Sequence, residues 1–386
     1  MNEELGEEGE GAMVKHVGEL RGMFNGARIL VAPLDWGLGH AARCVPIIHA
    51  LLAQDAVPVI GADRGPLALL RAEFPQLEHV CIPGMEVRYS EGRSQAWAMA
   101  KQLPAMLRQV RTEHHLFNVL RRELQLDAVI SDQRFGIRAA DLPSVLITHQ
   151  LFPFSPFAQG VARRMNKGHM LRFDRCWIPD RENGPGLAGA LSHGKELPRN
   201  ARYIGPLSRF DRSTSTTSTT KYRIVAVISG PEPQRSLLEK QVMSQLFSIE
   251  GHHLMLTGKP GSASEQRGAV HMIGHLPTIE LQAALMHAEL IVARTGYSTL
   301  MDLDALGRGA LLVPTPGQPE QEYLGRLHKE LGVHTIQEQH RLNIAGALRT
   351  LPSSTPPAPA DPGPSPAFYE LAHLLTEHRP AIPSPV

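Results

Sequence analysis

Short apolar runs alternate along the chain with stretches whose apolar positions recur at helical spacing. Arg28 to Pro33 (RILVAP) predicts a buried strand that ends in a loop. Residues 41–54 predict a helix, because Val45, Ile48, Leu51 and Leu52 share one face. A strand at 57–61 and a short helix at 66–73 follow, and then two apolar runs bounded by turns, LDAVISD (126–132) and PSVLITH (143–149). The second half repeats this logic. A strand at 222–230 leads into a helix that runs through Leu246. Further strands are expected within 252–258, 269–274, 288–294 and 309–314, with helices at 277–287, 297–306 and 319–331 among them. Strands alternating with helices in both halves predict an α/β protein of two doubly wound, Rossmann-like domains with parallel sheets, facing each other across a cleft. Ligands of such sheets bind at the carboxyl ends of the strands, so the loops after the strands are where chemistry is expected.

Low-complexity stretches set the boundaries. Residues 213–220 (STSTTSTT) cannot bury a core and read as a linker. It would join a first domain at 27–212 to a second at 221–352. Residues 353–366 form a proline-rich spacer. The tail, 367–386, opens with AFYELAHLL, which places Phe368, Leu371 and Leu374 on one helical face. A lone tail helix has little reason to be amphipathic unless it docks, and the first domain is the expected partner. Residues 1–26 begin MNEELGEEGEG and read as a disordered leader, acidic where a secretory signal is basic.

Composition narrows the function. At 386 residues the chain exceeds what one hydrophobic core usually serves, which supports two domains. Its 39 basic residues nearly cancel 38 acidic ones, which argues against a nucleic-acid coat. Cys44, Cys81 and Cys176 have neither metal-ligand spacing nor the even count of a disulfide framework, so a reduced, cytoplasmic setting is expected. Nineteen histidines raise the question of a metal. The pairs His114-His115 and His252-His253 lack the helical spacing and carboxylate of a zinc motif, and no metal site is predicted.

Four loops hold candidate chemistry. Leu34 to His40 (LDWGLGH) joins the first strand to the first helix, and Gly37 and Gly39 permit backbone conformations closed to other residues. His40 would lie at the helix start, where the positive end of the dipole disfavours imidazolium and leaves a neutral base. A tight turn with a capping histidine is the bland alternative. Asp132 ends an otherwise apolar strand, where it could orient His40, serve as a base itself, or merely cap the next helix. Thr148, His149 and Gln150 end the next strand and could line the same cleft. In 293–302 (ARTGYSTLMD), a strand runs through a Thr-Gly turn into a helix whose first amides, with the hydroxyls of Thr295 and Ser298, suit phosphate oxygens. Arg294 could add charge, and Asp302, one turn beyond Ser298, could accept from ribose hydroxyls. A capped helix with an acid in its first turn needs no ligand. In 313–323 (VPTPGQPEQEY), Pro319 fits the first helical position after Gln318, and amides and carboxylates gather beside Gly317, groups that suit a sugar.

The blocks GHLP (274–277), ARTGYSTLMD (293–302) and VPTPGQPEQEY (313–323) resemble the C-terminal half of GT-B nucleotide-sugar glycosyltransferases, the MurG-like enzymes of glycosyltransferase family 28 in particular. Gly37-Leu38-Gly39-His40 resembles a shortened form of that family's glycine-rich loop. The likeness spans roughly residues 28–335 and is specific in 274–323. It implies an acceptor-binding first domain and a second domain that binds the nucleotide-sugar donor as co-substrate, with no other cofactor. It places the backbone of His275 and Leu276 at the base, Thr295, Gly296, Tyr297 and Ser298 at the phosphates, Asp302 at the ribose, and Gln321 and Glu322, beside Gln318, at the sugar. His40 falls in the region of the catalytic base. The loop at 229–235 departs from the family: two prolines remove backbone donors that Gly230 and Arg235 would have to replace.

The expected function is transfer of a sugar from a nucleotide-diphosphate donor, UDP-linked by expectation, to a hydroxyl acceptor, with inversion and without a metal. A nucleotide-sugar hydrolase or epimerase, and a non-catalytic nucleotide-sugar-binding protein, are the alternatives on the same fold. Residues 95–124 combine Trp97, Met99, Leu103, Met106, Leu107 and Val110 with Arg108, Arg111, Arg121 and Arg122. Such a basic amphipathic helix could touch anionic lipid and reach a lipid-linked acceptor, although packing on the first domain with a solvated basic face is the favoured reading. No apolar run approaches the roughly 20 residues of a membrane span.

Overall fold

The computed structural model describes residues 23–84, 95–154, 159–194, 196–210, 221–350 and 366–378. The expected Ser/Thr linker and nearly all of the proline-rich spacer lie outside the described residues, as do residues 1–22 of the expected leader. Residues 23–26 correct the end of that leader. Phe24 is 1% exposed in the first domain's core, and its N–H donates to Gln54 O at 3.2 Å. An aromatic that fills a core is ordered with it, so the fold begins before residue 27.

The first sheet contains β1 (Arg28–Pro33), β2 (Val57–Ala62), β3 (Glu78–Cys81), β4 (Ala128–Asp132), β5 (Ser144–Ile147), β6 (Arg175–Ile178) and β7 (Ala201–Tyr203), in spatial order β3-β2-β1-β4-β5-β6-β7. Every neighbouring pair is parallel. The second sheet contains β8 (Ile224–Val227), β9 (His253–Leu256), β10 (Glu265–Arg267), β11 (Val270–Ile273), β12 (Leu290–Ala293), β13 (Leu311–Leu312) and β14 (Thr335–Ile336), in order β10-β11-β9-β8-β12-β13-β14. Only its edge pair, β10 with β11, is antiparallel. The central strands are apolar on both faces because helices cover both sides of a parallel sheet. In the first domain these helices include α1 (Leu38–Leu52), α2 (Arg64–Glu73), α3 (Gln95–Glu123) and α4 (Gln159–Met170). In the second they are α5 (Gln234–Leu246), α6 (Thr278–His287), α7 (Tyr297–Leu306), α8 (Pro319–Glu330) and α9 (Ile344–Thr350).

The strand order fixes where the site must be. In the first sheet the chain moves from β1 outward through β2 and β3, then returns to place β4 on the other side of β1. The loops after β1 and β4 therefore diverge from adjacent strand ends, where Pro33 pairs with Asp132. In the second sheet β8 lies between β9 and β12, so the loops after β8 and β12 do the same. These two switch points, one per domain, line a common cleft.

The last helix, α10 (Pro366–His378), returns to the first domain. Ala367, Leu371 and Leu375 join its core, and the Phe368 ring lies 5.4 Å from Trp177 and 6.5 Å from Phe24. Arg175 donates to Glu370 at 2.8 Å. Of the apolar positions expected on α3, the side chains of Trp97, Met99 and Leu103 lie outside the described residues. Phe117 is buried in the core with Leu116 and Leu120 against it, while Met106, Leu107 and Val110 face the cleft.

Candidate active site between the domains

A cleft of 980 Å³ runs between the two sheets. Its first-domain wall is built around His40. Gly37 caps α1 with φ +125°, so the chain turns sharply out of β1 and sets His40 in the helix's first turn. His40 Nδ1 lies 2.9 Å from Asp132 Oδ2. Asp132 is fully buried, and Arg43, one turn along α1, grips it from the other side: Nε donates to Oδ2 at 2.8 Å and Nη2 donates to Oδ1. Burial opposes ionisation of Asp132, but the charge of Arg43 and the hydrogen bonds from His40 and Arg43 outweigh it and hold the carboxyl below its ordinary value. A carboxylate at 2.9 Å requires a hydrogen on Nδ1, although Arg43 Nη2 also lies 2.8 Å from that nitrogen. That tautomer leaves the Nε2 lone pair free. Burial first, and then Arg43, push the His40 pKa below its ordinary value, so the ring rests neutral. The result is a neutral imidazole held in one orientation.

Arg43 also reaches the next strand. Its Nη1 lies 3.3 Å from His149 Nδ1, and His149 Nε2 lies 2.8 Å from Glu320 Oε1 of α8, in the second domain. Gln150 Nε2 donates to Glu320 Oε2 at 2.6 Å. The His149 ring stacks on Tyr297 of α7, with centroids 4.0 Å apart and planes 11° from parallel. The starts of the two facing helices touch: Ser298 Oγ donates to Gly39 O at 2.8 Å. A Cβ at residue 39 would lie 2.9 Å from that Oγ, so glycine is what lets α1 and α7 approach. Tyr297 Oη donates to Pro179 O at 2.7 Å, and Arg181 pairs with Asp304 at 2.6 Å.

The second-domain wall contains Gly230, Arg235, His275, the start of α7 (Gly296–Thr299), Asp302, Gln318, Glu320 and Gln321. Gly230 has φ +106° and carries the chain from β8 past the cleft. Asp302 accepts from Ser208 Oγ at 2.7 Å, and burial raises its pKa to about 6. His275 is pushed down to about 4 by burial and by Arg209, and its Nε2 is buried without a partner among the described residues. Arg209 also lines the cleft, and its Nε and Nη1 are likewise without partners among the described residues.

Three of the expected site residues, Arg294, Thr295 and Glu322, face elsewhere. Arg294 is fully buried and donates to three carbonyls, Gln234 O at 2.8 Å, Pro314 O at 3.2 Å and Val313 O at 3.3 Å. It ties the ends of two strands to α5 and offers no charge to the cleft. Thr295 is also fully buried, and its hydroxyl donates to Gln321 O at 2.8 Å. Leu276 packs its side chain on the second domain's core, while the contact expected of it is a backbone one. Glu322 points away and accepts the Gly317 N–H at 2.7 Å, so the pair that faces the cleft is Glu320 with Gln321, one residue earlier than expected. Arg235 lines the cleft but is already paired with Glu232 at 2.7 Å and with Glu239. Ser298 spends its hydroxyl on Gly39, which leaves the α7 amides and Thr299 beside it in the cleft.

Arg43, Glu320 and Arg209 are the residues the sequence reading passed over. Arg43 carried a signal: a charge within the apolar face of a helix needs a buried partner. Arg209 carried none, because it lies on an irregular connection.

No protein-family model and no curated protein matches the sequence. Among solved structures, the chain is similar to the spinosyn rhamnosyltransferase SpnG, at 17% identity and TM-score 0.56 over 92% of this chain and 97% of that one. It is also similar to the glycosyltransferase SnogD from Streptomyces nogalater, at 16% identity and TM-score 0.55 over 92% and 95%. The glycotransferase of kitacinnamycin aligns at 15% identity and TM-score 0.54 over 92% and 95%. SpnG has also been solved with thymidine diphosphate and with spinosyn aglycone. The likeness spans both domains in order, and the fold of this chain is GT-B.

Proposed function

We propose that this protein transfers a sugar from a nucleotide-diphosphate donor to a hydroxyl acceptor, with His40 as general base and Asp132 as its orienting partner. One observation carries the reading: an oriented, neutral imidazole on the first domain faces the helix start that closes the second domain's switch point, across a cleft. His40 Nε2 takes the proton of the acceptor hydroxyl as its oxygen attacks the anomeric carbon. The bond from that carbon to the diphosphate oxygen breaks, and the diphosphate leaves toward the amides at the start of α7, where the helix dipole favours negative charge. Direct attack inverts the anomeric centre. Asp302 accepts from the ribose hydroxyls, and Glu320 and Gln321 lie where the transferred sugar would sit. Arg209 brings positive charge to the donor wall.

The nucleotide is UDP on the sequence resemblance and dTDP by analogy with the SpnG complex. Trp36, Leu69, Leu107, Val110, Phe135 and Met165 line the acceptor side, which favours an acceptor with an apolar body. Among the described residues no helix is long and apolar enough to cross a membrane. The reading is tested by incubating the protein with UDP- and dTDP-sugars and a panel of apolar alcohols, then resolving products and their anomeric configuration by NMR. Inverted glycoside is expected. Free sugar formed at the same rate with and without alcohol would make the protein a hydrolase instead.

A further inference from the structure

Five side chains form one hydrogen-bonded chain across the cleft: His40, Asp132, Arg43, His149 and Glu320. Arg43 Nη2 lies 2.8 Å from His40 Nδ1, the nitrogen that donates to Asp132, so that contact is not a hydrogen bond; along the His149 branch the hydrogen positions agree. Arg43 donates to His149 Nδ1, which therefore carries no hydrogen, and His149 Nε2–H donates to Glu320. With both rings neutral, the group holds one positive charge, on Arg43, and two negative ones, on Asp132 and Glu320. The bidentate grip of Arg43 on Asp132 cancels that pair. One negative charge is left over, and it belongs to the second domain.

We propose that Arg43 and Glu320 are positioning residues that set the strength of the base: Arg43 cancels the charge of Asp132, and Glu320, reaching across the cleft through His149, supplies the negative charge that stabilises the imidazolium formed on His40. Base strength is thereby tied to domain contact. When the domains part, Glu320 leaves with the second domain and His40 reverts to a weak base beside a neutralised carboxylate. The proton balance closes within the group: one proton from the acceptor hydroxyl brings its net charge from minus one to zero.

The geometry around His40 supports this. The charged or titratable groups facing it are Arg43 on α1, Asp132 at the end of β4 and His149 after β5, with Glu320 of α8 beyond them. The first turn of α7, which also packs there, carries no acid. Glu320 is held below its ordinary value despite its burial, chiefly by the His149 hydrogen bond, so its charge is present at neutral pH. The rate consequence rests on the transfer reading above, but the protonation consequence does not.

The test is an NMR titration of ¹³C-labelled histidine rings in the full chain, without substrate, with His40 assigned from a His40→Asn variant. Glu320→Gln, which keeps the side chain's shape, is expected to lower the His40 pKa by about one pH unit. Arg43→Gln is expected to raise it, because Asp132 regains its full charge, and Arg43→Lys is expected to restore most of the wild-type value. Opposite displacements in the two variants support the proposal. An unmoved His40 in Glu320→Gln, or displacement in the same direction in both variants, overturns it. Where turnover is measurable, Glu320→Gln also moves the acid limb of kcat/KM to lower pH and cuts the plateau about tenfold. A packing role alone would lower the plateau and leave the limb in place.

Discussion

The two walls of the cleft rest on nearly the same sheet yet differ in how their polar groups are satisfied. Around His40 on the first-domain wall, Asp132, Arg43 and His149 partner one another and the imidazole, while Trp36 Nε1 and His169 Nδ1 elsewhere on that wall are buried without partners among the described residues. On the second-domain wall, His275 Nε2 and Gln318 Oε1 are buried without partners among the described residues, as are two nitrogens of Arg209. Buried polar groups are normally paired, and the exceptions call for an explanation. A cluster whose groups satisfy each other is preorganised for one proton transfer. A wall of open donors and acceptors is suited to take its partners from a ligand. Under the proposed function this contrast would divide the labour, with chemistry on the first domain and binding on the second.

Substitutions on the two walls should therefore fail differently. The largest effect is expected from His40→Ala, which should cut kcat about 10³-fold while leaving donor affinity within about twofold. Parallel turnover assays and calorimetric donor titration check this; an equal loss in both would erase the division. Asp302→Ala is the converse, expected to weaken donor binding about tenfold or more with kcat at saturation little changed. The pH dependence should split in the same way. Asp302, raised to about 6, is ionised above that value and loses its charge as pH falls through it, so the donor KM should climb below about pH 6. His40 lies below its ordinary value, so kcat should hold through pH 6.5 and fall only at lower pH. Full pH profiles of kcat and KM measured separately would show it.

Smaller effects sharpen the picture at the seam. Gly39→Ala brings a Cβ to 2.9 Å from Ser298 Oγ and disturbs that contact, so kcat should drop severalfold with little change in donor affinity. Glu322→Gln should be nearly silent in turnover and cost about 1 kcal/mol in thermal stability, since the side chain only accepts the Gly317 N–H. A large loss of donor affinity in Glu322→Gln would return this residue to the sugar site.

Much of this was legible in the sequence, for identifiable reasons. The apolar runs that became β1 and β12 are buried on both faces, and Pro319 marks the start of α8. His40 and Asp132 could be paired in advance because each follows, or ends, a strand at what proved to be one switch point. Arg294 could not be placed, because the residue after a strand is free to turn either way, and here it turned under the sheet. Glu320 and Glu322 lie two residues apart on a helix, on opposite sides of its first turn, and composition does not say which faces the cleft. The contacts that cross the domains, Ser298 with Gly39 and Glu320 with His149, depend on how two bodies meet, which no local pattern encodes.

The proposed division between a catalytic wall and a binding wall stands or falls on donor affinity. Its most direct test is a calorimetric titration of UDP and dTDP into the wild-type protein, His40→Ala and Asp302→Ala under one set of conditions. The account predicts that one nucleotide binds the wild type and His40→Ala with the same affinity and binds Asp302→Ala at least tenfold more weakly. Equal binding by all three variants, or a loss confined to His40→Ala, would contradict it.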